Sequence, residues 1–250
     1  MIKETKIFDH GFVRLIDFMG SDERILRTAR ISTGSKPSKG IEADEGLMSY
    51  LYRNEHFSPF EQSVFTFELK MPIFVMRQWI RHRTQSVNEY SGRYSEMIDE
   101  FYIPEQIYKQ ATSNHQGSGD PVHKSLNTQI KYLMESESEE SYKLYKECVD
   151  KGISKEQARM ILPVNRYTQF FTTMNLRNLF HLLELRLDSH AQYEIRIFAN
   201  AIHDLIISTG KFKMALDVFD ENYLVNTLVK SLKNKYKNNY LDLIHKLENL

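Results

Sequence analysis

The chain has 250 residues, 41% hydrophobic and 26% charged, which suits a soluble globular protein of one large domain or two small ones. Its 33 basic and 33 acidic residues give a formal net charge of zero, which argues against a wholesale nucleic-acid binder but leaves room for a local basic pocket. The single cysteine, Cys148, excludes an intrachain disulfide, no run of about 18 apolar residues offers a membrane span, and the scattered charges of MIKETKIFDHGF are unlike a signal peptide, so a cytoplasmic location is expected.

Residues 6–16 alternate loosely and predict an edge strand or hairpin. Ser21 followed by Asp22 and Glu23 marks a helix start, running to about Arg30. A second helix is expected from Ala43 to Arg53. Pro59 then disfavours helix at Ser58. Residues 63–71 alternate as a strand, and Pro72 opens a helix from Ile73 to about His82. The polar stretch 107–121 reads as a surface excursion. A long amphipathic helix fits Val122 to Lys151, with room for a break near Ser136, and Gly152 ends it. Ser154 caps a short helix through Ile161, with Pro163 beyond. Tyr167–Thr173 reads as a strand and Asn175–Leu187 as a helix. The stripe Ala191, Ile195, Phe198, Ile202 and Leu205 predicts another helix to Ser208, stopped by Gly210. The tail 221–250 reads as helical and locally basic through Lys230, Lys233, Lys235 and Lys237. Helices with a few antiparallel-looking strands make the class α+β.

The stretch RHRTQSVNEYSGRYS, Arg81–Ser95, follows a piece of apparent core. On a continuing helix Gln78, Arg81 and His82 would share a face, with Arg83 at its end. Guanidinium forks match phosphate oxygens, and serines with a turn at Gly92 add backbone and hydroxyl donors. Glu89 and Asn88 suit sugar hydroxyls or base edges. Surface ion pairs to the many acids account for the same composition equally well. Trp79 can stack a ring, though core filling is the commoner role.

Asn175, Leu182 and Arg186 share a face of the later helix, so Arg186 is expected to be half-buried against an anionic or carbonyl partner. His190 and Glu194 have a metal-ligand spacing. With Asp188 and His82 they allow a metal-dependent phosphohydrolase, although capping and salt bridging explain the spacing more often, and Asp188 is placed to cap the last helix. An RNA-binding module using Arg81–Arg93 and the lysine-rich tail is disfavoured by the neutral charge. Cys148 reads as core filler.

Taken together, the motifs resemble the flavin-dependent thymidylate synthases. The string RHRxxSxNExSGRY is met in full. His56-x-Ser-Pro-Phe-Glu61, Ala158-Arg159-x-x-Leu162-Pro163 and Leu185-Arg186-x-Asp188-Ser-His190-Ala-Gln-x-Glu194 also look like family blocks, in family order. The resemblance covers roughly residues 6–210. It implies an α+β fold, a mixed sheet with packed helices, as one domain over 1–210 with 211–250 as a helical C-terminal extension. It implies conversion of dUMP to dTMP, with a methylene from 5,10-methylenetetrahydrofolate and a hydride from FAD that NADPH reduces. No cysteine nucleophile takes part, and the lone thiol agrees with that.

The resemblance makes Arg186 the catalytic residue, facing the pyrimidine carbonyl and N3. It makes Gln78, Trp79, Ile80, Arg81, Glu89, Tyr90, Ser91, Gly92 and Arg93 the dUMP cradle, with Arg159 joining from another chain. The flavin positions are Ser58, Arg81, His82, Arg83, Glu89, Asn175, Arg177 and His181, with Ser32, His56 and Glu61 as second candidates. His181 stands where an asparagine is equally expected. The implied assembly is a homotetramer with shared active sites, without metal, nucleic acid or membrane.

Overall fold

The computed structural model describes residues 2–34, 40–112 and 117–235. A hairpin of β1 (Lys3–Ile7) and β2 (Gly11–Met19) begins the chain. Strand β3 (Val64–Pro72) follows two helices, α1 (Asp22–Ile31) and α2 (Ile41–Arg53). With β4 (Ser86–Glu89) and the strand Tyr167–Asn175 they form one sheet. Numbering β5 (Tyr108–Gln110) and β6 (Ser118–Pro121) in between makes that last strand β7, and the order β1-β2-β3-β7-β4. The expected α+β class holds. Every described pairing is antiparallel, so the sheet is not mixed as expected.

The alternation in β3 fixes which face is covered. Phe65, Phe67, Leu69 and Met71 are all fully buried, while Thr66 and Glu68 lie on the other side. The buried face meets α3 (Ile73–Trp79), α6 (Leu176–Arg186) and α7 (Tyr193–Ser208) in one core. The predicted stripe of α7 supplies Ile195, Phe198, Ile202 and Leu205 to it. A smaller cluster of Met97, Tyr145 and Ala158, with Cys148 packed against it, joins α4 (Lys124–Asp150) to the segment after β4. The α5 turn (Lys155–Ala158) continues as a 3-10 turn, Arg159–Ile161.

Four local expectations are corrected. Helix α3 ends at Trp79, three residues before His82, because the following residues are held by side-chain bonds described below. Ser86–Glu89 is a strand although its residues are all exposed, since it is held by backbone pairing to β7. Helix α4 runs unbroken past Ser136, its acidic stretch facing solvent. Helix α7 starts at Tyr193 behind Gln192, and Asp188 instead closes a turn in which its carbonyl accepts from the Ala191 N–H at 2.8 Å. The excursion 107–121 carries the β5–β6 hairpin. Residues 236–250, with Lys237, lie outside the described residues.

Helix α8 (Lys213–Lys235) has a cap supplied from across the fold. The Asp22 carboxylate accepts from the N–H groups of Met214 at 2.7 Å and Ala215 at 3.0 Å, while its own N–H donates to the Lys211 carbonyl. These bonds satisfy N–H groups of the first turn. Burial nevertheless holds this carboxyl above its usual range, and the two N–H bonds only partly offset that. Asp22→Ala is expected to lower stability by about 1 kcal/mol and to speed amide exchange at Met214 and Ala215, read by urea denaturation and hydrogen exchange.

Candidate active site

The C-terminus of α3 is closed by a single amide. The fully buried Trp79 donates its indole N–H to Gln85 Oε1 at 2.9 Å, and the Thr172 hydroxyl on β7 donates to the same oxygen at 2.6 Å. Gln85 Nε2 donates back to the carbonyls of Trp79 at 3.3 Å and His82 at 2.6 Å. Four polar groups near the core are thus satisfied by one side chain, and the loop 80–85 is stapled to the sheet. The loop leaves Arg81 and Arg83 exposed and turns His82 inward. The helical face expected for Gln78, Arg81 and His82 does not form. Gln78 instead donates to Gln192 Oε1 just before α7.

His82 meets Arg186 at the end of α6. Arg186 Nε donates to His82 Nε2 at 2.9 Å, and Nη2 donates to the Gln78 carbonyl at 3.3 Å. The half-buried guanidinium therefore has the carbonyl partner that its place on a leucine face demanded. For Nε2 to accept, it must be the bare nitrogen of a neutral imidazole. The surroundings agree. Burial, then the charges of Arg186 and His181, push His82 down to about 4. The His181 ring lies edge-on, 6.2 Å away. Burial also lowers Arg186, which has no carboxylate among these contacts.

A cleft of about 320 Å³ opens on the far side of α3. Ile80, Glu89, Tyr90, Gly92, Arg159, Arg166 and Thr168 line it together with Ile73, Met76, Arg77, Met97, Met160 and Leu162. The Thr168 hydroxyl donates to Glu89 Oε1 at 2.6 Å. Tyr90 is fixed by its N–H on the Gln169 carbonyl, 2.8 Å, and by its hydroxyl on the Glu96 carbonyl. The turn at Ser91 gathers N–H groups: those of Tyr94 and Ser95 reach its carbonyl, and that of Arg93 reaches its hydroxyl. Gly92 is required here by close approach. A Cβ would lie 2.1 Å from Met97 Sδ and 3.1 Å from Arg159 Cδ. Arg93 itself pairs with Glu156 at 3.0 Å, and both are exposed, so the pair is worth at most about 1 kcal/mol.

The remaining flavin candidates surround the start of α6. Asn175 caps that helix, its Oδ1 accepting from the N–H of Asn178 at 2.9 Å and from its amide at 2.7 Å. The Arg177 guanidinium lies 3.9 Å over the Phe57 ring, beside the exposed Ser58. His56 packs edge-on to Tyr50, Glu61 is exposed in a 3-10 turn, and Ser32 ends α1.

Within one chain, then, the expected residues fall into three sets. Gln78, His82, His181 and Arg186 come together. Ile80, Glu89, Tyr90, Gly92 and Arg159 share the cleft. Arg177 lies over Phe57, next to Ser58, and Asn175 caps the helix that carries it. The contacts of Arg93 and Arg186 do not join them, for Arg93 pairs with Glu156 and Arg186 bonds His82 and the Gln78 carbonyl. The metal set does not assemble either. His190 bonds Asp188 at 2.8 Å, Glu194 accepts from the Tyr102 hydroxyl at 3.3 Å, and His82 faces Arg186. Among the described residues no three His, Cys, Asp or Glu side chains are grouped to hold a metal. Gln85, Thr168 and Arg166 were not anticipated. Of these, only Arg166 carried a signal, a cation directly before an apolar strand.

Residues 14–209 match the family described as thymidylate synthase complementing protein. The chain belongs to that family. Among its curated relatives, a flavin-dependent thymidylate synthase of Wolbachia pipientis wMel is 47% identical over 208 residues, 82% of this chain and 73% of the relative. One from Treponema denticola is also 47% identical, covering 82% of this chain and 78% of the relative. One from Thermus thermophilus is 45% identical over 218 residues, 87% and 78% respectively. The fold is similar to that of a UMP/dUMP methylase, PolB from Streptomyces cacaoi, solved with 5-Br dUMP. The TM-score is 0.76 at 30% identity, covering 87% of this chain and 97% of that one.

Two outcomes follow for this thymidylate synthase family member. Gln85→Leu strands the Trp79 indole N–H and the Thr172 hydroxyl, and should lower the unfolding free energy by about 2 kcal/mol or more in urea titrations. The second concerns pH. Below about 4 His82 is protonated in both folded and unfolded chains, and above its ordinary value of 6.5 it is neutral in both. Between the two only the unfolded chain binds the proton, so stability falls as pH drops through that window, by at most about 1.4 kcal/mol per pH unit. His82→Asn keeps an acceptor for Arg186 but does not titrate. The difference between wild-type and variant urea midpoints should therefore change across pH 6.5 to 4 and be flat above it.

Proposed function

We propose that this protein makes dTMP by reductive methylation of dUMP, with 5,10-methylenetetrahydrofolate as carbon donor and NADPH-reduced FAD as hydride source. The observation that carries this reading is that the relatives, at 44–47% identity over most of the chain, are flavin-dependent thymidylate synthases. The solved neighbour methylates the same nucleotide class. The single thiol supports a route without a cysteine nucleophile, since Cys148 is packed beside Tyr145 and Ala158 on α4.

In this reading Arg186 is the catalytic residue. His82 and the Gln78 carbonyl orient its fork, and the rest of the fork addresses the pyrimidine carbonyl and N3. A fixed guanidinium there stabilises negative charge as it develops on the ring. The neutral His82 matters because a charged imidazole would repel the guanidinium and offer it no lone pair. Gln78, Ile80, Arg81, Glu89 and Tyr90 border the nucleotide, with the Trp79 side chain packed beneath them in the core. Ser91, Gly92, Arg93 and Arg159 hold its phosphate, Arg93 exchanging the weak Glu156 pair for a dianion.

The donor set also fits FAD. The exposed guanidiniums of Arg81 and Arg83 and the half-buried one of Arg177 suit a diphosphate, while His82, His181, Asn175, Glu89 and Ser58 suit the polar edge of a flavin ring and its ribityl hydroxyls. Bound and reduced, the flavin supplies the hydride.

A homotetramer with shared sites is the assembly proposed. The division of the expected residues into three sets, with Arg81, Arg83 and Arg159 exposed, supports completion by neighbouring chains. The chain is read as one domain through residue 210 with a helical extension beyond it, supported by burial of Phe212, Leu216 and Phe219 in the common core. A cytoplasmic location is in keeping with the free thiol; no described helix is long and apolar enough to cross a membrane.

The test is direct. The purified protein should be yellow and should oxidise NADPH only with FAD bound; a colourless protein that refuses added FAD would refute the function. Arg186→Lys keeps the charge but loses the planar fork. It should retain the flavin absorbance while dTMP formation falls about 100-fold or more, and normal turnover would refute the role of Arg186.

A further inference from the structure

Arg166 is 2% exposed and lines the cleft, yet its Nε and Nη1 have no hydrogen-bond partner. Its backbone is tightly held. The carbonyl accepts from the Ile73 N–H at 2.8 Å, starting α3, and the N–H donates to the Pro163 carbonyl at 3.3 Å. The side chain is thus delivered by a rigid segment to the junction of α3 and β7. A buried guanidinium normally has a carboxylate, and one without it costs several kcal/mol. The one carboxylate among the groups acting on it is Glu89, whose Oε1 already accepts from Thr168. The other influences are the phenols of Tyr145, Tyr142 and Tyr90. Burial pulls Arg166 down to about 10, which still leaves it protonated at neutral pH.

The cleft therefore has a dehydrated cation in its wall that its own chain does not neutralise. Arg159 and Arg77 line the same space, and so does Gly92 of the Ser91 turn. Met76, Ile80 and Met160 provide apolar walls. Such a site suits a ligand that joins a dianionic phosphate to a flatter, less polar body. We infer that Arg166 is a further substrate-binding residue, its buried guanidinium attracting the 5′-phosphate of a nucleoside monophosphate seated in the cleft that Gly92, Arg159 and Arg166 line. This rests on the thymidylate synthase reading above.

The experiment uses the full-length flavin-loaded protein and compares dUMP with deoxyuridine, which lacks the phosphate. Dissociation constants are measured for wild type, Arg166→Leu and Arg166→Lys. In Arg166→Leu the preference for dUMP over deoxyuridine should fall about tenfold or more with deoxyuridine binding unchanged, and Arg166→Lys should restore it to within about threefold. A purely structural role would weaken both ligands alike and leave the ratio intact, which overturns the inference. An unchanged ratio with unchanged affinities overturns it too. Arg166→Met, which keeps the aliphatic stem, is the second neutral variant. If neither neutral variant folds, the guanidinium is a strut of the core and the inference falls. If wild type binds neither ligand, the thymidylate synthase reading fails first; if wild type prefers dUMP and the variants match it, only the role of Arg166 fails.

Discussion

The hydrogen bond from Arg186 Nε to His82 Nε2 ties together two distant parts of this molecule. It joins the end of α6 to the loop after α3, two elements far apart in sequence. It also imposes a protonation state, because a cation can donate to imidazole only where the lone pair is free. Burial favours that same neutral form, so geometry and electrostatics agree at this point. The loop can hold His82 there because Gln85 anchors it through Trp79 and Thr172, and α6 can hold Arg186 there because its leucines are sunk in the core.

Much of the scaffold was legible in the sequence. The strict alternation of Val64–Met71 predicted β3 and its buried face. The four-and-three spacing from Ile195 to Leu205 predicted the buried stripe of α7. Ser21 announced the start of α1 and does cap it, accepting from the Arg24 N–H. What stayed hidden was decided by partners distant in the chain. Strand β4 has no apolar alternation because it is an exposed edge, and only β7 makes it a strand. The end of α3 depends on an amide six residues beyond the tryptophan it meets. The motif blocks named candidate residues, but their sorting into three sets arises from helix ends and turns that no local pattern encodes.

The neutral overall charge hides an uneven distribution. Several surface cations are spent on nearby acids, as in Lys146 with Glu96 and Arg93 with Glu156. Along the cleft and the α3 loop the balance differs: Arg77, Arg159 and Arg166 gather around one carboxylate, Glu89. Exposed pairs of the first kind contribute little to stability, whereas the desolvated charge of Arg166 interacts strongly with whatever enters. A protein with no net charge can in this way present a strongly anion-seeking recess.

Trp79 is the chain's only tryptophan, and it sits in the staple beneath the α3 loop, with Phe170 beside it at a ring separation of 6.1 Å. The indole emission of the whole polypeptide therefore originates at one point, a few residues from the arginines and histidine of the loop. A tightly packed indole with a fixed acceptor emits differently from a hydrated one, so its wavelength reports whether the loop is docked. Flavins absorb in the near ultraviolet and blue, where indole emits. Energy transfer from this single donor gives the molecule a built-in optical ruler.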